Sequence, residues 1–174
     1  MRHIRVVRLS QREYRDLRIT THCALVARAF GAEEIILEEN ADPKIAKTVN
    51  AISKRFGGTF NVAYEKSAAT IRKLRKEKYT IIHLTMYGLP PQEVLPHILP
   101  KQKVAIVIGA DKVPREIYEG ADYNVSITRQ PHSEVAALGV FLHYLQEGNE
   151  ETLAFPRAKM RVIPQAKGKR VEKK

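Results

Sequence analysis

The sequence predicts an α/β fold, an open and mainly parallel sheet with helices on both faces. Three observations carry this expectation. Short Val/Ile-rich runs alternate with amphipathic helical patterns from end to end. The run from Lys103 to Ile108 is almost continuously apolar, as suits a parallel strand buried on both faces. Glycines and prolines fall at the boundaries between runs, where helices stop or start.

Each element follows in order. Ile4 to Leu9 is the first strand. Thr20 or Thr21 is the expected cap of a helix through Phe30, with Gly31 as its stop. Glu34 to Leu37 is a short second strand. Asn40 or Asp42 caps a helix with Pro43 in its first turn, and Ile45, Val49, Ile52 and Phe56 recur along it at spacings of three and four. Gly57 and Gly58 end it. Asn61 to Tyr64 is a third strand, and Ser67 opens a basic helix to about Lys78. Thr80 to Thr85 is a fourth strand, followed by a short helix from Pro90 to about Leu99. After the Lys103–Ile108 strand come one or two helical turns from Pro114, then a sixth strand, Tyr123 to Ile127. Ser133 caps a long apolar helix to about Glu147. The tail departs from the alternation: Met160 to Ile163 and Lys169 to Val171 flank a turn, and together read as a basic β-hairpin.

Composition narrows the function classes. The chain has 174 residues, 44% of them hydrophobic and 28% charged, ordinary for a single soluble domain. The longest apolar run, Val104 to Ala110, is strand-sized and too short for a membrane span. No signal peptide is legible, so a cytoplasmic location is expected. The single cysteine, Cys23, excludes an internal disulfide and a multi-cysteine zinc site. Its Ala/Leu/Val-rich surroundings suggest a small buried hydrophobe. The net charge of +11 points to a polyanion, nucleic acid above all. From Arg157 to Lys174 eight Lys/Arg face one Glu172, so the tail carries +7 of that total. It lacks the Leu/Phe/Trp face of a membrane-surface helix.

In open parallel sheets ligands bind beyond the carboxyl ends of the strands. The informative segments are therefore His83-Leu-Thr-Met-Tyr-Gly88, Gly109-Ala-Asp-Lys-Val-Pro114 and Thr128-Arg-Gln-Pro-His-Ser-Glu134. Gly109 at a strand end permits close backbone approach to a ligand. No phosphate loop and no G-x-G-x-x-G is present, which counts against ATP, GTP and NAD. The histidines are scattered without H-x-x-x-H spacing, so no metal is expected. His132 adjoins Ser133, but no G-x-S-x-G elbow exists, and Ser133 reads first as a helix cap.

Arg18-Ile-Thr-Thr-His-Cys-Ala-Leu-Val-Ala-Arg28-Ala-Phe-Gly-Ala, His83 to Gly88, Gly109 to Arg115 and Gln130-Pro-His-Ser-Glu-Val-Ala-Ala137 resemble, in the same order, the archaeal tRNA (cytidine-56) ribose 2′-O-methyltransferases of the SPOUT superfamily. The resemblance implies a C-terminal trefoil knot, a homodimer, tRNA as partner and S-adenosylmethionine as cofactor. It implies a methyltransferase domain over 1–155, with the cofactor site in 80–147, and a basic hairpin tail over 156–174. Leu84, the loop Gly109, Ala110, Asp111, Lys112 and Val113, and the loop Ile127, Thr128, Arg129, Gln130, Pro131, His132, Ser133 and Glu134 would enclose the cofactor. Arg28 would be the catalytic arginine. A guanidinium is effectively always protonated, so its expected role is to hold a phosphate and stabilise a nascent alkoxide. Arg18, His22, Arg157, Lys159, Arg161, Lys167, Lys169 and Arg170 are the candidate RNA contacts. Val135, Leu138 and Leu142, or Leu25, are the candidate dimer contacts. Two other readings stay open at this point: a non-catalytic basic RNA-binding module, and a SPOUT enzyme that methylates a tRNA base.

Overall fold

The computed structural model describes residues 2–10, 16–109 and 112–173. β1 (His3–Leu9), β2 (Glu34–Leu37), β3 (Asn61–Tyr64), β4 (Thr80–Leu89), β5 (Lys103–Gly109) and β6 (Tyr123–Val125) form one parallel sheet in the order β3-β2-β1-β5-β4-β6. β1 lies beside β5 over its full length, from His3 opposite Lys103 to Leu9 opposite Gly109. The period of two sorts the strand side chains. Ile4, Val6, Val104, Ile106 and Ile108 join the larger core, with α1 (Leu17–Ala29), α2 (Lys44–Phe56), α4 (Pro91–Ile98) and α6 (Glu134–Gln146). Val7, Leu9, Ala105 and Val107 join a smaller one under α3 (Ser67–Lys76) and α5 (Arg115–Gly120).

α6 completes the larger core. It buries Ala137, Leu138, Phe141, Leu142 and Leu145, the large ones each contributing roughly 1.5–3 kcal/mol. Ser133 caps it as the sequence predicts, its Oγ accepting from the Val135 amide at 3.2 Å. At the far end Arg2 donates to Leu145 O and, at 2.6 Å, to Leu99 O. Leu138 and Leu142 are spent inside the protomer, so they are not dimer contacts. The large apolar side chains that α1 and α6 leave exposed are Ile19, Val140 and Tyr144, while Leu25 and Val135 are half-buried. No helix among the described residues is long and apolar enough to cross a membrane.

Several boundaries differ from expectation. α1 starts at Leu17, and Thr20 and Thr21 lie in its first turns. Their hydroxyls bond back to Asp16 O and Leu17 O, so they do not cap. α3 ends at Lys76, where Glu77 and then Lys78, at φ 67°, leave the helix. A 3₁₀ turn at Asn149–Thr152 follows α6 without a sequence signal. The hairpin is β7 (Met160–Ile163) against β8 (Arg170–Lys173), the second strand later than expected. It is rooted on α2. Gly58 N donates to Pro156 O and Lys159 N to Arg55 O. Gly57, at φ +80°, has Phe155 O and Pro156 O within 2.6 Å of where a Cβ would stand.

β4 runs past Thr85 to Leu89, and β6 stops at Val125. Leu84 and Leu89 both pair with Val125, so the segment between them bulges out and returns. Ser126 N then donates to Leu89 O at 2.8 Å. Gly88 makes this return possible: a Cβ there would stand 2.4 Å from Asn124 C and Val125 N. Gly88→Ala should therefore displace β6 and lower stability by about 1–3 kcal/mol. Gly120→Ala, where a Cβ meets nothing within 4 Å, is the control. Equal urea midpoints for the two variants would refute this account of the β4–β6 crossing.

Candidate active site

A cleft of about 280 Å³ opens at the carboxyl edge of β4, β5 and β6, where the topology places ligands. The ends of β4 and β5 bring Leu84, Thr85, Met86, Tyr87, Ile108 and Gly109. The loop after β6 and the start of α6 bring Ile127, Gln130, Pro131, His132, Glu134 and Ala137. The cleft is thus lined by apolar and polar groups in comparable measure, which suits a small molecule that carries both. Glu134 is the one carboxylate among the described lining residues.

Glu134 is held from behind. The period of two puts Arg8 on the same face of β1 as Ile4 and Val6, inside the larger core. Its side chain is 1% exposed. Nη2 donates to Glu134 Oε1 at 3.0 Å and lies 3.9 Å from Asp16 Oδ2, while Nη1 donates to Ser10 O at 3.1 Å. Arg8 therefore joins the end of β1, the start of α1 and the start of α6. Cys23, packed beside it, has its thiol pushed up to about 12 by burial, which removes it as a nucleophile.

The floor of the cleft is a second polar cluster. Asn124 Nδ2 donates to Tyr118 O at 2.8 Å, so its Oδ1 is the group facing His83 Nδ1, also at 2.8 Å. Nδ1 then carries the proton and Nε2 is the acceptor nitrogen. Burial lowers the His83 pKa, which keeps the ring neutral, and Tyr118 packs edge-on to it at 4.7 Å.

Arg28 lies elsewhere. α1 starts beside Arg8, and Arg28 is eleven positions on from Leu17, roughly 16 Å at about 1.5 Å per residue. Nη2 donates to Gly57 O at 2.5 Å and Nε to Ser53 Oγ at 3.1 Å. The guanidinium lies 4.9 Å from the Phe155 ring centre, and burial lowers its pKa. Nη1 makes no hydrogen bond among the described residues. Arg28 lines a separate groove of about 680 Å³ between α1, α2 and the root of the hairpin, with Arg161 on its other wall.

Of the sequence-predicted cofactor residues, the cleft gathers Leu84, Gly109, Val113, Ile127, Gln130, Pro131, His132 and Glu134. Lys112, Thr128, Arg129 and Ser133 do not line it. Thr128 Oγ1 accepts from Gln130 N, and Ser133 caps α6. Ala110 and Asp111 lie outside the described residues. Arg18, His22, Arg157, Lys159, Arg161, Lys167, Lys169 and Arg170 are all exposed. Sequence reasoning singled out the segment that holds Thr85 and Tyr87 without giving either a role, and it missed Arg8 and Tyr118. Arg8 carried a signal, a charge at an inward position of an otherwise apolar strand.

Comparison with known proteins gives this geometry a context. Residues 56–172 match the model of the family described as tRNA ribose 2′-O-methyltransferase, aTrm56. A tRNA (cytidine(56)-2′-O)-methyltransferase of Methanothermobacter thermautotrophicus is 48% identical over 168 residues, 95% of this chain and 94% of its own length. The enzyme of that name from Thermococcus kodakarensis is 46% identical over 172 residues, 97% of this chain and 96% of its own. Among solved structures, an RNA 2′-O ribose methyltransferase superposes with a TM-score of 0.64 at 14% identity. The SpoU methyltransferase AviRb from Streptomyces viridochromogenes, in complex with AdoMet, superposes with 0.60 at 14%. In both cases the match covers 84% of this chain and 57% of the longer neighbour, and it shows a shared fold. By the family match and the near full-length relatives, the chain belongs to the tRNA ribose 2′-O-methyltransferase family.

Proposed function

We propose that the chain transfers a methyl group from S-adenosylmethionine to the ribose 2′-oxygen of cytidine 56 in tRNA, in the cytoplasm and as a homodimer. The observation that carries the cofactor assignment is the cleft at the carboxyl edge of β4–β6. Its apolar walls at Leu84, Ile108 and Ala137 suit an adenine ring, and backbone at Leu84, Gly109 and Ile127 can read the ring's edge. The Glu134 carboxylate suits a cationic ligand. S-adenosylmethionine supplies an electrophilic methyl on a sulfonium leaving group. The chain's own part is to place the 2′-hydroxyl in line with that methyl and to exclude water. The resemblance to the family implies a knotted path in this part of the chain.

Arg28 is proposed to fork onto a phosphate beside the target ribose and to stabilise the developing alkoxide. It does not line the cofactor cleft of its own protomer. That separation supports a second copy as the source of the arginine, and the exposed Ile19, Val140 and Tyr144 give the two copies an apolar face to share. The hairpin, with its surplus of cations, is proposed as the element that grips tRNA phosphates.

The direct test incubates the protein with methyl-labelled S-adenosylmethionine and unmodified tRNA, then identifies the labelled nucleoside. 2′-O-methylcytidine at position 56 is expected. Label in a base, or none, would overturn the assignment. Gly109→Val places a branched side chain at the strand end, and should weaken cofactor binding in calorimetric titration by at least about tenfold. Unchanged affinity would remove the cofactor from this cleft. Arg28→Ala should bind cofactor normally yet lose about 10²–10³ in single-turnover rate. Mixing it with Gly109→Val should restore about a quarter of wild-type activity, because half the dimers then hold one intact composite site. No recovery on mixing would place Arg28 in its own protomer's site or outside catalysis.

A further inference from the structure

The groove beside Arg28 is distinct from the cofactor cleft, and its walls differ in kind. Phe56 from α2 and Met160 and Val162 from β7 are apolar, while Arg28 and Arg161 are the charged residues that line the groove. Phe155 backs Arg28, holding the guanidinium plane in place. Val162 is 59% exposed and its cross-strand partner Val171 45%, an apolar pair among the basic side chains of the hairpin. The Arg28 Nη1 group is uncommitted among the described residues. The groove's volume of about 680 Å³ falls in the range of small-molecule sites, roughly 300–1,000 Å³.

We propose that this groove is a nucleotide subsite, which seats one unstacked nucleotide of the RNA substrate. The base packs on Phe56, Met160 and Val162, and its phosphate lies between Arg28 and Arg161. The pairing of an apolar slot with guanidinium groups is what a splayed RNA nucleotide requires, since every base has an apolar face and every linkage a negative charge. A solvated basic surface explains the arginines but not the apolar lining that Phe56, Met160 and Val162 share. The inference deepens the proposed function and rests on it for the identity of the substrate. It also gives the hairpin a task beyond attraction, because β7 forms one wall of the slot.

Two arms test it. In the first, cytidine 5′-monophosphate is titrated into the full-length protein and methyl resonances are followed by NMR. Met160 and Val162 should shift, with Ile52 at the groove's base, while ribose 5-phosphate leaves them in place. Shifts of equal size from ribose 5-phosphate would reduce the groove to an anion site, and no shift from the nucleotide would abolish the proposal. In the second arm, Val162→Glu should weaken tRNA binding roughly tenfold, the scale of one lost base contact. Arg161→Ala should lower the salt slope of binding by about one unit. Both positions are exposed, and circular dichroism confirms the fold. Wild-type tRNA affinity in Val162→Glu overturns the subsite while leaving the methyltransferase reading intact. Absence of methyl transfer by the wild-type chain overturns that reading, and the nucleotide titration still decides the subsite.

Discussion

The interaction on which the rest of the molecule depends is the burial of Arg8. A guanidinium with 1% of its side chain exposed must be matched by charge and hydrogen bonds, and Arg8 finds them on three different elements. Ser10 O, the Asp16 carboxylate and the Glu134 carboxylate all converge on it. Its Nε is buried without a hydrogen-bond partner among the described residues. Removing one member of such a group typically costs about 3–5 kcal/mol, because the other charge is left in the interior. The start of α6, and with it the rim of the cleft at the strand ends, is thus tied to the central strand by electrostatics as well as by packing.

That tie divides the molecule's labour. One groove sits where the strands end and is lined by apolar side chains, polar side chains and, among the described residues, one anchored carboxylate. The other sits at the far end of α1 and is built from helix ends and the hairpin root. α1 spans the two, its first turn beside Arg8 and its last turn carrying Arg28. A helix of fixed length therefore sets the spacing between the two grooves. In the proposed dimer it is also the element through which one protomer would serve the other.

Much of this was legible in the sequence, and the reasons are local. β5 declared itself because a strand buried on both faces has no polar alternation, and Ser133 declared itself because its side chain caps α6. The glycine pair at 57–58 marked the end of α2, while its second role, as the seat for Phe155 and Pro156, depends on segments a hundred residues apart. Thr20 and Thr21 look like caps in isolation. Asp16, bound into the Arg8 cluster, starts α1 a turn earlier and leaves their hydroxyls to bond backward. The extension of β4 to Leu89 was illegible, because it is Val125, forty residues on, that draws the chain back. Leu138 and Leu142 fit an interface as well as a core by hydrophobicity alone; only the docking of α6 on the sheet decides between them.

The pairing of β1 with β5 has a consequence for how the chain comes into being. The two strands form the middle of the sheet, yet His3 and Lys103 are a hundred positions apart. During translation at about 5–20 residues per second, the first strand waits roughly 5–20 s before its longest partner has even been made. Until then β1 can pair only with β2, and its other edge, together with the arginine meant for burial, stays in water. High contact order of this kind slows folding and lengthens exposure to misassociation. A polypeptide that repels its own copies through a large positive charge is better able to survive that interval.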